Sequence, residues 1–351
     1  MDIVADSGFR FGELYVGGGT PTVIPAELAR TLDHVRTRHE LRSISVETNP
    51  DDLEKDSVRH LRDSGVNRLS VGVQSFDDDL LAQMQRLEKY GSGAQITDRL
   101  RHSAGAFDTL NVDMIFNFPR QTEASLRRDL DILTDDVGVD QVSWYPLMSS
   151  ASTRRPMQQH MGGGVDRSRE RGLYELIVDH MLGRGYLRSS AWCFSRQPGL
   201  FDEYIVEHDE YVGLGSGSFS YVQGQLFAST FSINHYCRLV DAGQTGIVQR
   251  RQLGRRDQMR YYLLMKLFSG EIDLDEADER FQGRFRRALV FELAALRMLD
   301  AVHHEGRALR LTERGQYLWV VMMREFFSSV SDLRDEMRHH ISAEHFSLQD
   351  Q

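Results

Sequence analysis

Glu13-Leu-Tyr-Val-Gly-Gly-Gly-Thr-Pro-Thr22 joins four residues of strand character to three consecutive glycines and a Thr-Pro-Thr turn. Glycines placed directly after a strand let a backbone approach a ligand closely and turn its N–H groups outward. The alternative is a tight turn between strand and helix that needs only positive φ. The spacing is neither G-x-G-x-x-G nor a Walker A loop, which argues against dinucleotide or ATP binding by those routes.

Working outward, strand-like pieces at Arg42–Glu47, Asn67–Val73, Leu110–Phe116 and Gln141–Tyr145 alternate with helical runs. The runs are Ala26–His39, Asp51–Ser64, Asp77–Gln85, Ala94–Ala104 and Glu123–Thr134, with Leu28, Leu32 and Val35 on one face of the first. Repeated βα units predict parallel strands with right-handed crossovers, in an open doubly wound sheet or a full or partial barrel. Four polar residues, Glu47, Gln74, Asp113 and Tyr145, fall at or just past the C-terminal ends of successive strands. That edge is where sites assemble in such folds. A single such residue is ordinarily a cap; four in succession point to a shared site.

After Tyr145 the pattern changes. A polar segment from Ser149 to Arg169 with Gly162, Gly163 and Gly164 reads as a loop, followed by a helix at Arg171–Leu182 and a strand at Tyr186–Trp192. A glycine-rich stretch, Tyr211-Val-Gly-Leu-Gly-Ser-Gly-Ser-Phe-Ser220, leads into a mostly helical region beyond Asp241. Within it Phe285–Leu299, Val302–Leu311 and Thr312–Phe327 suggest a small helical or winged-helix module.

The 351 residues carry a net charge of −10 without a long basic run, which disfavours nucleic acid as partner. No stretch suits a membrane span or an export signal, so a cytoplasmic protein acting on small molecules or proteins is expected. The two cysteines, Cys193 and Cys237, are in no metal-ligand spacing and read as reduced thiols.

The strings Leu14–Thr22, Ser45-Val-Glu-Thr-Asn-Pro50 and Val66-Asn-Arg-Leu-Ser-Val-Gly-Val-Gln-Ser-Phe76 together resemble the oxygen-independent coproporphyrinogen III oxidase family of radical S-adenosylmethionine (SAM) enzymes. Arg86, Asn111–Ile115, Phe118–Thr122, Ser143–Leu147, Tyr211–Phe219, Asn234 and Leu311–Gly315 continue the match over most of the chain. The resemblance implies an α/β fold, a partial (βα)6 barrel over 1–192 lacking its first strand. A glycine-rich connecting element at 193–240 and a helical, winged-helix-like C-terminal domain at 241–351 would follow. It implies that Gly18, Gly19 and Thr20 meet the methionyl part of SAM, that Glu47, Gln74, Arg86 and Asp113 position its charged and ribose groups, and that Phe219 stacks on adenine.

Departures bear on activity. The family's Cys-x3-Cys-x2-Cys loop, which holds three irons of a [4Fe–4S] cluster, is missing from this sequence; since Glu13–Val16 matches the family's second strand, the loop is expected upstream of Met1, in a truncated chain. Arg120 replaces a glycine usual before Gln121-Thr122, and an acidic residue common near Ser189–Trp192 is absent. An intact relative would use SAM, the cluster and an electron donor to generate a 5′-deoxyadenosyl radical acting on a porphyrin or related substrate. In the oxidase two propionates become vinyls with loss of carbon dioxide, and Arg154 and Arg155 could meet substrate carboxylates, though a solvated loop accounts for them better. The alternatives are a methyltransferase of the same family and a non-catalytic haem or porphyrin carrier, for which Cys237, His235, His303 and His304 are conceivable but unsupported ligands.

Overall fold

A computed structural model describes residues 8–148, 163–199 and 210–349, with side chains to 338. The described residues fall into two compact units, one carrying the elements through Ser195 and the other those from Phe219 onward.

The first unit is built on a seven-stranded sheet. Its elements run β1 (Glu13–Val16), α1 (Pro25–Arg36), β2 (Ser43–Thr48), α2 (Lys55–Asp63), β3 (Arg68–Gln74), α3 (Asp78–Gln83), α4 (Leu87–Tyr90), α5 (Gly93–Ser103), β4 (Thr109–Phe116), α6 (Glu123–Asp131), β5 (Gln141–Pro146), α7 (Glu170–Gly183), β6 (Leu187–Arg188) and β7 (Cys193–Ser195). Strand order is β1-β2-β3-β4-β5-β7-β6, with the first five parallel and the last two antiparallel.

Local chemistry sets the boundaries. Helix α1 opens on proline at its first position and buries the expected Leu28, Leu32 and Val35. Helix α5 starts at a reciprocal capping box between Ser92 and Gln95, and α3 at Asp77, whose carboxylate accepts from the N–H groups of Asp79 and Leu80. The helix expected at Asp51–Ser64 begins later. Pro50–Asp52 forms a single 3-10 turn, held there by the Thr22 hydroxyl, which donates to Asp52 at 2.5 Å. The strand expected at Tyr186–Trp192 is likewise two short strands around a turn, because the Ser190 hydroxyl caps the Cys193 N–H at 3.1 Å.

The sheet's two faces differ. Alternate residues Val46, Leu69, Val71, Leu110, Val112, Met114, Val142 and Trp144 are enclosed on an apolar face. Between them Ser45, Arg68, Ser70, Asn111, Gln141 and Ser143 are equally enclosed on a polar one. Burying so many polar groups requires a hydrogen-bonded layer.

The second unit begins with the antiparallel hairpin β8 (Phe219–Val222) and β9 (Gln225–Ser229), turning at Gln223 and Gly224, both at positive φ. Helix α8 (Ile233–Asp241) leads to β10 (Ile247–Gln252), which pairs with β9. Its six residues are all exposed, so its only sequence signal is backbone pairing, and the mostly helical expectation missed it. Next come α9 (Arg255–Phe268), β11 (Glu271–Asp273), α10 (Leu274–Arg280), α11 (Phe285–Ala288), α12 (Val290–Met298), β12 (Val302–Glu305), β13 (Ala308–Leu311) and α13 (Glu313–Gln349). Strands order as β11-β13-β12, and Phe268, Phe285 and Trp319 are enclosed.

A Cβ on Gly93 would lie 1.9 Å from the Phe76 carbonyl oxygen, whereas one on Gly172, within α7, meets nothing within 4 Å. Gly93→Ala should therefore lower stability by about 1–3 kcal/mol and Gly172→Ala raise it by about 0.5–1 kcal/mol. Urea unfolding followed by circular dichroism would show both.

Candidate functional site

The glycine turn after β1 is shaped by β2. Glu47 accepts hydrogen bonds from the Tyr15 hydroxyl and from the Gly18 N–H, the latter at 3.1 Å. Gly17 has no room for a side chain, since a Cβ there would meet the Glu47 carboxyl at 2.6 Å, and Gly18 takes φ +103°. A Cβ on Gly19 would meet nothing within 4 Å. The Thr20 hydroxyl accepts from the Asn49 amide at 2.6 Å, so the turn is tied to the end of β2 at two points.

At the end of β3 the polar groups gather about Gly72. The Arg86 guanidinium donates to the Gly72 carbonyl at 3.1 Å and lies over the Tyr90 ring at 5.2 Å. A Cβ on Gly72 would meet the Gln74 amide at 3.3 Å and Asn49 Oδ1 at 3.6 Å, so a glycine keeps these groups close. Gln74 itself sits at φ +76°, a conformation a non-glycine residue holds only when its surroundings impose it. Burial pulls the Arg86 guanidinium below its ordinary value while Tyr90 opposes that.

The clamp on Gln74 comes from α6. Asp129 is fully enclosed and accepts from the Ser75 hydroxyl at 2.9 Å and the Phe76 N–H at 3.0 Å. Burial pushes its carboxyl up to about 7, against those hydrogen bonds.

Strand β4 carries the second carboxylate. Asp113 accepts from the Ser70 hydroxyl at 2.8 Å, the Asn111 amide at 2.9 Å and the Tyr145 hydroxyl at 3.4 Å. In register it stands opposite Gly72 and Ser143, while Glu47 stands opposite Ser70. Desolvation raises the Asp113 carboxyl to about 6. The negative charge of Glu47 adds to the rise, and Arg68, Ser70 and Asn111 oppose it. Glu47 and Asp113 thus feel one another across the same sheet face.

The structure brings Glu47 and Asp113 together on the polar face, with Gly18 bound to the first. It places Gln74 and Arg86 around Gly72, the register partner of Asp113, and links Thr20 through Asn49. Phe219 belongs to the second unit, where its ring meets Phe231 edge-on at 6.2 Å and the Arg334 guanidinium at 5.6 Å. Sequence reading missed Tyr15, Asn49, Arg68, Ser70 and Asn111. The available signal was the strict alternation Ser43-x-Ser45-x-Glu47, Arg68-x-Ser70 and Asn111-x-Asp113, which ordinarily marks a face turned to solvent. Arg120 is exposed on the turn after β4, and Trp192 is enclosed with its ring edge-on to Tyr145 at 5.4 Å. Arg154 and Arg155 lie outside the described residues. Of the conceivable haem ligands, His304 meets the Arg297 guanidinium at 2.8 Å and Cys237 is exposed. Among the described residues no group of three or more His, Cys, Asp or Glu converges as a metal site, and no helix is long and apolar enough to cross a membrane.

A parallel βα sheet with polar groups gathered at its C-terminal edge has the layout on which barrel folds build small-molecule sites. The Radical SAM superfamily profile matches residues 3–133. Heme chaperone HemW of Lactococcus lactis is 24% identical over 315 residues, covering 86% of this chain and 81% of the relative. The oxygen-independent coproporphyrinogen III oxidase of Paracoccus denitrificans is 27% identical over 344 residues, covering 91% and 75%. Coproporphyrinogen III oxidase HemN from Escherichia coli shares the fold, with a TM-score of 0.75 at 21% identity over 91% of this chain and 79% of that one. Residues 3–133 thus match the Radical SAM superfamily, and the chain is similar over most of its length to these oxidases and to HemW.

Because the Asp129 carboxyl titrates higher in the fold (about 7) than its unperturbed value of 3.8, the fold favours its protonated form. Its contribution to stability is therefore greatest at low pH and declines as pH rises through that window. Relative to wild type, Asp129→Asn should gain about 2 kcal/mol between pH 5 and pH 8, read from urea midpoints at each pH. A difference that stays flat with pH would mean the carboxyl is not held in this way.

Proposed function

We propose that the chain binds SAM along the C-terminal edge of its barrel and that this site serves the chemistry or handling of a porphyrin-type tetrapyrrole. What carries the reading is the juxtaposition of two carboxylates, Glu47 and Asp113, with the Arg86 guanidinium and Gln74 grouped about Gly72. SAM brings a sulfonium, an ammonium and a carboxylate. Two anions and one cation complement it in sign and number, and an arginine fork suits the ligand carboxylate. Asp113, held by three donors, offers its remaining lone pairs to ribose hydroxyls, while Gly18, Gly19 and Thr20 give the methionyl chain a backbone surface without side-chain obstruction.

The superfamily implies a [4Fe–4S] cluster held by three thiolates. This sequence has two cysteines: Cys193, enclosed beside Ser143 in the first unit, and Cys237, exposed in the second. These residues do not fit that cluster. The same cysteine count, with the HemW relatives, favours a second reading in which the chain carries haem or a porphyrin without radical chemistry. The oxidase reading needs SAM, a cluster and an electron donor; the carrier reading needs the tetrapyrrole alone.

Isothermal titration with SAM at neutral pH should give saturable binding, weakened tenfold or more by Arg86→Ala and only partly restored by Arg86→Lys, which loses the fork. Absence of SAM binding in the folded wild type removes the proposal. After anaerobic incubation with iron and sulfide the protein should hold no more than trace iron, and about four irons per chain would overturn the reading of its cysteines. A saturable Soret shift on haem titration selects the carrier reading, and its absence selects against it.

A further inference from the structure

Arg68 is among the largest fully enclosed side chains in the protein, and no part of the SAM-contacting set uses it. Its guanidinium donates to Gln141 Oε1 at 3.1 and 2.8 Å and to the Ser45 hydroxyl at 2.8 Å. Gln141 passes its amide on to Ser195 at 2.9 Å. On β3 the next residue of the same face is Ser70, which donates to Asp113. On β4 the register partner of Gln141 is Asn111, which also donates to Asp113. The buried arginine therefore lies one layer beneath the carboxylates on the same polar face, its partner Gln141 standing beside Asn111 in register.

An arginine is costly to desolvate, and apolar replacements of buried charges are often neutral or better for stability. Packing alone gives no reason for a guanidinium at this depth. Its chemistry supplies one: arginine stays protonated at any working pH, so it is a fixed positive charge in a low-dielectric layer. Directly above it two carboxylates share a face and repel one another. The ionisable groups around Asp113 are Glu47 from β2, Arg68 from β3 and Tyr145 from β5, with Tyr15 from β1 behind Glu47 and Cys193 from β7 beside Ser143. Arg68 is the cation in that set that does not reach the strand edge.

We propose that Arg68 is a positioning residue: the internal counter-charge beneath Asp113 that keeps this carboxylate ready to accept from a ligand at the strand edge. The SAM identity of that ligand rests on the reading above; the effect of Arg68 on Asp113 does not. Burial lifts the Asp113 carboxyl to about 6, and the Arg68 charge is the largest influence restraining it. Without Arg68 the Asp113 midpoint climbs further, and an acceptor becomes a donor.

The test reads the Asp113 titration in ligand-free protein by carbon NMR of labelled aspartate carboxyls, assigned with Asp113→Asn, alongside SAM affinity from pH 5.5 to 8.5. In Arg68→Met the Asp113 midpoint should rise by one pH unit or more, and the pH at which SAM affinity halves should rise with it. Arg68→Lys should return the midpoint most of the way while losing the fork to Gln141. If Arg68→Met does not fold, Gln141→Glu sets a carboxylate against the guanidinium and should raise the midpoint in the same sense. A merely structural arginine would weaken binding equally at every pH and leave the midpoint in place; a shift below about 0.3 units in the folded variants overturns the proposal. Failure of wild-type protein to bind SAM would defeat the ligand assignment, while the Asp113 titration still decides the role of Arg68.

Discussion

A parallel sheet that encloses polar groups on one face must satisfy all of them at once, and that constraint governs this protein. Ser45, Arg68, Ser70, Asn111, Gln141 and Ser143 come from four strands, and each reaches a partner on another strand. A slip of one residue in any strand would turn its polar set into the apolar layer and orphan the partners left behind. Strand register and site geometry are therefore one specification. The hydrogen bonds that make the interior tolerable also aim Asp113, and the glycine turn is aimed by Glu47 from the neighbouring strand.

The strand ends show the same economy with backbone. Gln74 holds positive φ because its two successors are tied to Asp129, and the end of β3 packs so closely on α5 that only glycine fits at position 93. Helix α6 thus reaches the ligand edge through a buried carboxylate, although none of its residues belongs to the candidate site. Distortions of this kind persist where the surroundings over-determine them, and sites are where they concentrate.

Much of this was legible in sequence. Strands β1 to β5 lie within one or two residues of their expected positions, because β-branched runs bounded by glycine, proline and cap residues are strong local signals. The residues at the strand ends were legible as a set, since chain order alone puts successive strand termini on one edge. The inner polar layer was not. Alternation of Ser, Arg, Asn and Gln with Val and Leu is the ordinary mark of a half-exposed strand, and nothing local says that the polar half is closed over. Asp129 escaped for a related reason: an aspartate in the last turn of an amphipathic helix looks solvated until the helix is docked. β10 was invisible because pairing, not burial, makes it a strand.

The division of labour in the site follows from which groups are buried and which are at the edge. In the proposed site Glu47, Gln74, Arg86, Asp113 and the glycine turn would supply charge complementarity and shape, and none of them is a reductant. The charged and polar groups at this edge are held by hydrogen bonds from strands β1 to β5 and from helix α6. A chain with this interior keeps Glu47 and Asp113 at the strand edge over the buried charge of Arg68. The field of that interior therefore belongs to the fold, set by buried groups rather than by those at the edge.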